Sequence, residues 1–184
     1  MPNNMRQGTR RERRAPEAER KLARMRIFPK PPASSVSRLL AAAQLPASDL
    51  TAAHLEHFFG CGSMSAPDGV VGLEMYGSVA LLRSLAVSSK CRGRGCGTAL
   101  VARAELFAQS QGVKEIYLLT TTAARFFERL GYTRVLREAA PEPIRQTQEY
   151  STLCPSSSAF MFKRLPANPA VDRDARKSGA RSSP

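Results

Sequence analysis

Residues 79–100 read VALLRSLAVSSKCRGRGCGTAL, and this stretch decides the fold. The run 79–87 is almost wholly apolar, which is typical of a central strand of a sheet. The glycine-rich loop 92–97 (RGRGCG) follows, and an amphipathic helix begins directly after it. The first amides of a helix lack partners and carry partial positive charge, and glycines let the backbone approach a phosphate closely. Because Arg92 and Arg94 add full charge, the sequence predicts an anion site that suits a diphosphate.

The glycine spacing excludes the two commoner phosphate-binding loops. A P-loop has the pattern GxxxxGK[ST], and no lysine stands between Gly97 and Thr98. Gly95 and Gly97 would need a third glycine at position 100 to complete a dinucleotide fingerprint, and position 100 is Leu. A glycine turn that binds nothing is the alternative that the loop alone leaves open.

The pattern on both sides of this stretch alternates between strands and helices. The predicted strands, which are short apolar runs bounded by turn residues, are 25–27, 61–65, 70–76, 79–87, 115–120, 132–136 and 159–164. The predicted helices, which have apolar residues at helical spacing, begin at Ser34 or Ser35, after Ser48, after Gly97 and at Thr121 or Thr122. The second of these is predicted to contain Phe58 and Phe59, and residues 66–69 (APDG) to form a hairpin turn. This order predicts an α/β domain with one mixed sheet.

The length, charge and cysteine content limit the classes of protein to which this chain can belong. The 184 residues suffice for one domain, and no apolar run approaches a membrane span. About half of the net charge of +13 lies in residues 1–24 and 165–184. We therefore predict disordered tails at 1–24 and 166–184 around a domain at 25–165. A cytoplasmic location is expected, and with it four reduced cysteines, Cys61, Cys91, Cys96 and Cys154.

Two motifs in order resemble the GNAT acyltransferases. Residues 92–97 are similar to the family signature [QR]xxGx[GA], directly after the strand it requires, and 123–132 (AARFFERLGY) resembles the segment AxxxYxxxGF. Residues 25–165 further resemble the acetyltransferases found with arsenic-resistance genes. Those are related to enzymes that acetylate phosphinothricin and arsinothricin. The resemblance implies an N-acetyltransferase that uses acetyl-CoA, on a largely antiparallel sheet splayed at its centre.

The resemblance also implies which residues bind acetyl-CoA. The pyrophosphate would lie on the loop and the first turn of the helix, the pantetheine would pair with the end of the preceding strand, and the thiol end would meet the next helix. The residues concerned are Leu85, Ala86, Val87, Arg92, Gly93, Arg94, Gly95, Cys96, Gly97, Thr98, Ala124 and Phe127.

Transfer to an amine needs a base and benefits from an acid for the leaving thiolate. Glu74 is the candidate base, because a charge in the apolar run GLEMYG is costly without a purpose. Position 127 is Phe where many relatives have the Tyr that protonates the thiolate. Either coenzyme A leaves as the thiolate or another donor serves, and Tyr132, Tyr150 and Tyr76 are the candidates, among which the sequence does not choose. Cys154 would allow an acetyl-cysteine route.

Arg83 and Arg145 are the candidate acceptor-binding residues. A guanidinium in the strand VALLRSLAV should have an anionic partner. Two arginines suit an amino-acid analogue with two anionic groups, such as those above, although a salt bridge to a local Glu explains each equally well. His54 and His57 have no third ligand, so we expect no metal site.

Other functions stay open at this point. The chain could acetylate a peptide or protein amine, or bind acetyl-CoA as a regulatory module without catalysis. Nucleic acid is not an expected partner, because no aromatic residue interrupts the basic N-terminal run. The expected partner is a small amine, and a second copy of the chain is allowed for.

Overall fold

A computed structural model describes residues 25–167, whereas the tails predicted at 1–24 and, from 168 onward, at the C-terminus lie outside the described residues. Seven strands form one sheet in the order β1-β2-β3-β4-β5-β7-β6. The strands are β1 (Ile27–Pro29), β2 (Phe58–Gly62), β3 (Pro67–Tyr76), β4 (Val79–Val87), β5 (Glu115–Thr120), β6 (Thr133–Arg134) and β7 (Ala159–Arg164). The helices are α1 (Ala33–Ala42), α2 (Ala52–Leu55), α3 (Cys96–Ser110), α4 (Ala124–Arg129) and α5 (Glu142–Arg145), followed by a π-helical turn at Glu149–Leu153. The predicted α/β class is confirmed.

The sheet is splayed at its centre. All its strand pairs are antiparallel except β4 with β5, which run parallel. That pair is in register only over Val79, Ala80 and Leu81. Beyond Leu81 the edge of β4 that faces β5 has no strand partner among residues 25–167, so its N–H and C=O groups make no hydrogen bonds to a neighbouring strand there.

A β-bulge in β4 sets the directions of the side chains beside this gap. Val70 pairs with Ala86 and Gly72 pairs with Arg83, so one residue of β3 faces both Ser84 and Leu85. Ser84 has a φ of 56°, in the left-handed region. Because successive side chains point to opposite faces, the extra residue turns the end of the strand over. Leu85 therefore packs in the α3 core, whereas Arg83 lies on the other face.

Helices cover both faces of the sheet. On one face, α3 buries Leu100, Val101 and Ala104 in the largest hydrophobic cluster. On the other face, α1 packs on the β2–β4 half of the sheet, and Ile144 of α5 packs on the half formed by β5 and β7. The gap in the sheet thus lies between these two halves.

Several predicted boundaries were wrong. The second helix is only the turn α2, which begins at a capping box on Thr51, and Phe58 and Phe59 lie in β2. Both phenylalanines are buried, in different clusters, as successive strand residues must be. The sequence 67–69 opens β3 instead of forming the turn, and the strand predicted at 132–136 is reduced to β6. Helices α1 and α4 begin without the predicted hydroxyl caps.

The prediction that all four cysteines are reduced was also wrong. Cys61 and Cys96 form a disulfide, which ties β2 to the first residue of α3. Both residues are nearly fully buried, because α3 begins directly over β2 and β3. Their spacing of 35 residues gives no sign of this contact. Cys91 and Cys154 are free thiols.

Candidate active site

The loop 92–97 and the start of α3 form an open cradle of backbone amides. Gly95 is the N-cap residue, with a φ of 89°, and no side chain in the described part of the chain caps the helix. The first turn of α3 contains no acidic residue. A Cβ atom added to Gly93 or Gly95 would meet nothing within 4 Å. The amides at this helix end are therefore exposed and electropositive, as an anion site requires.

A cleft of about 620 Å³ runs from this cradle along the end of β4. Arg92 stands beside it, because its Nε donates to the carbonyl of Val87 at 3.2 Å. Arg129 of α4 also lines the cleft, a residue that the motifs did not single out. Of the predicted acetyl-CoA residues, those that line it are Leu85, Ala86, Val87, Arg92, Gly93, Gly95, Cys96, Gly97 and Thr98.

A second cleft of about 360 Å³ adjoins the first. The residues that line both are Leu45, Leu85, Thr122 and Ala123. Phe127 lines the second cleft. Arg83, Glu149 and Cys154 line it too. The described site therefore consists of an elongated cleft ending in a smaller chamber with ionisable groups.

Three carboxylates surround Arg83. Both terminal nitrogens of its guanidinium donate hydrogen bonds to the Asp49 carboxylate, that from Nη2 at 2.8 Å. Nη1 also donates to Glu74. Glu149 Oε2 lies 3.0 Å from its Nε. All four side chains are less than a tenth exposed. Burial opposes the charge of Arg83, but these partners raise its pKa, so it is permanently charged.

Glu74, the predicted base, is occupied on both oxygens. One accepts from Arg83, and the other accepts from the Tyr76 hydroxyl at 2.5 Å. Burial and the Glu74 carboxylate raise the pKa of Tyr76, which makes that hydroxyl a weak acid. Glu74 lines neither cleft. It therefore acts in the structure as the anionic partner that the sequence demanded for Arg83.

Glu149 is the ionisable group that sequence reasoning missed. It is 7% exposed and lines the second cleft. Burial raises the pKa of its carboxyl to about 7, because the Arg83 charge only partly offsets desolvation, and Glu74 and Asp49 raise it further. A carboxyl with a pKa near neutrality is suited to accept a proton from a substrate. Nothing in the polar sequence 146–149 (QTQE) signals this burial.

The structure separates several other predicted residues from the clefts. Tyr132 is 3% exposed in the α3 core, and burial together with Glu105 raises its pKa well above the usual value for a tyrosine. Arg145 is exposed and bonds Glu142. Neither of these, nor Arg94 or Ala124, lines a cleft. The geometry does not favour Tyr132 as a proton donor or Arg145 as an acceptor-binding residue.

Cys154 lies in the second cleft as a neutral thiol. Burial, together with the charge of Glu149, raises the pKa of its thiol to about 11. The thiolate is the nucleophilic form of cysteine. At neutral pH the acetyl-cysteine route is therefore disfavoured. Within residues 25–167, no three His, Cys, Asp or Glu side chains are grouped to bind a metal ion.

Comparison with known proteins shows what this arrangement is similar to. Residues 50–134 match the family profile described as acetyltransferase (GNAT) domain. This part of the chain, slightly less than half of it, is thus similar to a GNAT acetyltransferase domain. An uncharacterised N-acetyltransferase of Chlorobaculum tepidum is 33% identical over 107 residues, which are 58% of this chain and 66% of that protein. This chain thus covers slightly less than two thirds of that relative.

Solved structures share this fold. N-acetylglutamate synthase from Neisseria gonorrhoeae, complexed with coenzyme A and N-acetyl-glutamate, superposes with a TM-score of 0.67 at 17% identity, over 77% of this chain and 35% of that one. A Mycobacterium tuberculosis protein in complex with CoA gives a TM-score of 0.61 at 17% identity, over 77% and 99% of the two chains. No helix within residues 25–167 is long and apolar enough to cross a membrane.

Proposed function

We propose that this chain is an acetyl-CoA-dependent N-acetyltransferase that acts on the amine of a small molecule. The observation that carries the proposal is the uncapped start of α3, which opens into a cleft along the unpaired edge of β4. The matched GNAT domain and the two structural neighbours solved with coenzyme A support it.

The residues of the first cleft fit a diphosphate attached to a long chain. The amides at the start of α3 and the guanidinium of Arg92 would hold the diphosphate. The edge of β4 at Leu85, Ala86 and Val87, which has no strand partner among the described residues, would hydrogen-bond an extended amide-containing chain, as a neighbouring strand does. When bound, acetyl-CoA supplies an activated acetyl thioester. Its reactive end would lie where the two clefts meet.

The second cleft would receive the acceptor. An amino-acid analogue such as arsinothricin or phosphinothricin is the acceptor that the resemblance favours. The arginines expected to hold its anionic groups, however, are bonded to carboxylates of the chain itself. An acceptor of that kind would therefore need other donors.

The leaving thiolate has no phenol beside it at the expected position. Phe127 lines the second cleft and offers only an apolar ring. We propose that coenzyme A leaves as the thiolate or takes its proton from water, since a thiol has a pKa low enough to leave as an anion.

Release of coenzyme A, followed with a thiol reagent across a panel of amines, tests this function. Acetyl-CoA-dependent release with at least one amine, and acetylation of that amine by mass spectrometry, are expected. Tight binding of acetyl-CoA without turnover of any amine, including peptide N-termini, would contradict catalysis and favour a regulatory module.

A further inference from the structure

Glu149 has the geometry of a ligand-binding carboxylate. Its buried Oε2 accepts no hydrogen bond from any residue within 25–167, although the residue is 7% exposed. Its Oε2 lies 3.0 Å from Arg83 Nε, but that N–H donates instead to Ser84 Oγ at 3.3 Å. A buried carboxylate without hydrogen bonds is costly. A ligand in the second cleft that donates to Glu149 would remove that cost.

Resting on the proposed function, we propose that Glu149 binds the ammonium group of the acceptor and takes its proton. The second cleft then selects amines that carry no anionic group. Both statements follow from the same carboxylate and the charges around it.

The charges around the second cleft favour a cation. Arg83 is its one basic lining residue among those described, and three carboxylates surround that guanidinium. Its Nη1 and Nη2 already bond Asp49 and Glu74. A substrate carboxylate would therefore meet excess negative charge, whereas an ammonium would meet the Glu149 carboxylate, whose Oε2 accepts no hydrogen bond from the described residues.

The charged groups that face Glu149 also prepare it for proton transfer. Arg83 of β4 attracts its charge, whereas Glu74 of β3 and Asp49 before α2 repel it, and burial of the carboxyl outweighs the attraction. Cys154, one turn further along the chain, faces it as a neutral thiol. The carboxyl is consequently able to take up and release a proton near neutral pH.

The step balances without any other reagent. One N–H bond of the ammonium breaks as an O–H bond forms on Glu149, and the freed nitrogen lone pair attacks the acetyl carbon. An N–C bond forms while the C–S bond breaks, and the electron pair stays on sulfur. The second amine proton leaves with the product thiol or to water, and Glu149 returns its proton to solvent.

Glu149→Gln tests the role of the carboxylate. We expect kcat/KM for a primary amine at pH 7 to fall about 100-fold or more, as loss of a general base does. In the wild type, the log of kcat/KM should bend near pH 7. The pH profile of the variant should lack that bend. Its kcat/KM should increase about tenfold for each unit that the pH rises, because more of the amine is then deprotonated in solution. Glu142→Gln, on exposed α5, is the matched control and should keep wild-type kinetics.

Acetyl-CoA binding, measured by calorimetry, separates this proposal from the proposed function. The Glu149→Gln variant should bind acetyl-CoA with wild-type affinity, which shows that its fold and first cleft are intact. Unchanged kcat/KM and an unchanged pH profile in that variant would overturn the role of Glu149 while leaving the acetyltransferase in place. Absence of turnover by the wild type would instead overturn the acetyltransferase itself.

Paired acceptors test the selectivity. Compounds 4-aminobutanamide and 4-aminobutanoate have the same carbon chain and differ only in the anionic group. We expect kcat/KM to be about tenfold or more higher for the amide, because the carboxylate group of 4-aminobutanoate would be repelled by the carboxylates around the cleft. Equal rates, or a preference for the carboxylate or for phosphinothricin, would overturn the selectivity.

Discussion

Replacing Arg83 with Met tests whether one guanidinium holds three buried carboxylates in the fold. The substitution keeps the volume but removes the positive charge beside Asp49, Glu74 and Glu149, whose side chains are 3%, 6% and 9% exposed. Removing one partner of a buried ion pair costs about 3–5 kcal/mol. Because a domain of this size is stable by only about 5–15 kcal/mol, the loss should be a large fraction of the free energy of unfolding.

The sign of the pH dependence follows from the same contacts. Burial alone would raise the pKa of Asp49, and the hydrogen bonds and charge of Arg83 lower it. Without Arg83 the folded-state pKa of Asp49 would rise above that of the unfolded chain, and the raised pKa of Glu149 would rise further, so the fold would bind protons more tightly. The stability of Arg83→Met should therefore fall as the pH rises, and its deficit should be larger at pH 8 than at pH 5.

Urea unfolding followed by circular dichroism at both pH values measures this. Arg164→Met is the matched control, because Arg164 forms an exposed pair with Glu115 and such pairs contribute about 1 kcal/mol at most. The double variant Arg83→Met/Glu74→Gln should recover part of the loss, and it stays measurable if the single variant does not fold at pH 8. A deficit for Arg83→Met no larger than that of the control, or equal at both pH values, would refute the reasoning.

Three further predictions concern other parts of the site. Gly97→Glu should weaken acetyl-CoA binding about 100-fold more than Gly97→Gln, whose side chain has the same size and shape but no charge, because a carboxylate would repel the diphosphate by several kcal/mol. Equal dissociation constants for the two variants would mean that the diphosphate binds elsewhere. Glu149→Gln should raise the free energy of unfolding by about 3 kcal/mol at pH 8 but little at pH 4.5. The reason is that the carboxyl pKa rises from 4.5 to about 7 on folding, and each pKa unit is worth about 1.4 kcal/mol. A difference between variant and wild type that does not depend on pH in urea titrations would contradict this prediction. Iodoacetamide should label two thiols, Cys91 and Cys154, in the unreduced denatured protein and four after reduction; four labels without reduction would disprove the disulfide.

Local patterns in the sequence were sufficient for the centre of the sheet. The bounds of β4, β5 and β7 agree with the structure, because each is a short apolar run between turn residues. The glycine loop and the start of α3 also lie where the motif predicted. These elements depend on neighbouring residues, which a sequence shows directly.

What depends on contacts between distant residues could not be predicted. The sequence indicated that Arg83 needs an anionic partner, but Asp49 and Glu149 reach it from a loop and a π-helical turn that have no regular pattern. The sequence around Phe58 and Phe59 is compatible with a helix as well as with a strand. Their place in a strand follows from pairing with β3, which the local sequence does not show. Cys61 and Cys96 likewise meet only after α3 has packed on the sheet.

The two clefts share only four lining residues, so each has its own walls over most of its length. A molecule in the first cleft does not have to leave before another enters the second cleft. The two molecules would meet only where the clefts share the lining residues Leu45, Leu85, Thr122 and Ala123. This layout favours a ternary complex, with direct transfer from one bound molecule to the other, over a cycle in which the protein is itself modified between two separate visits.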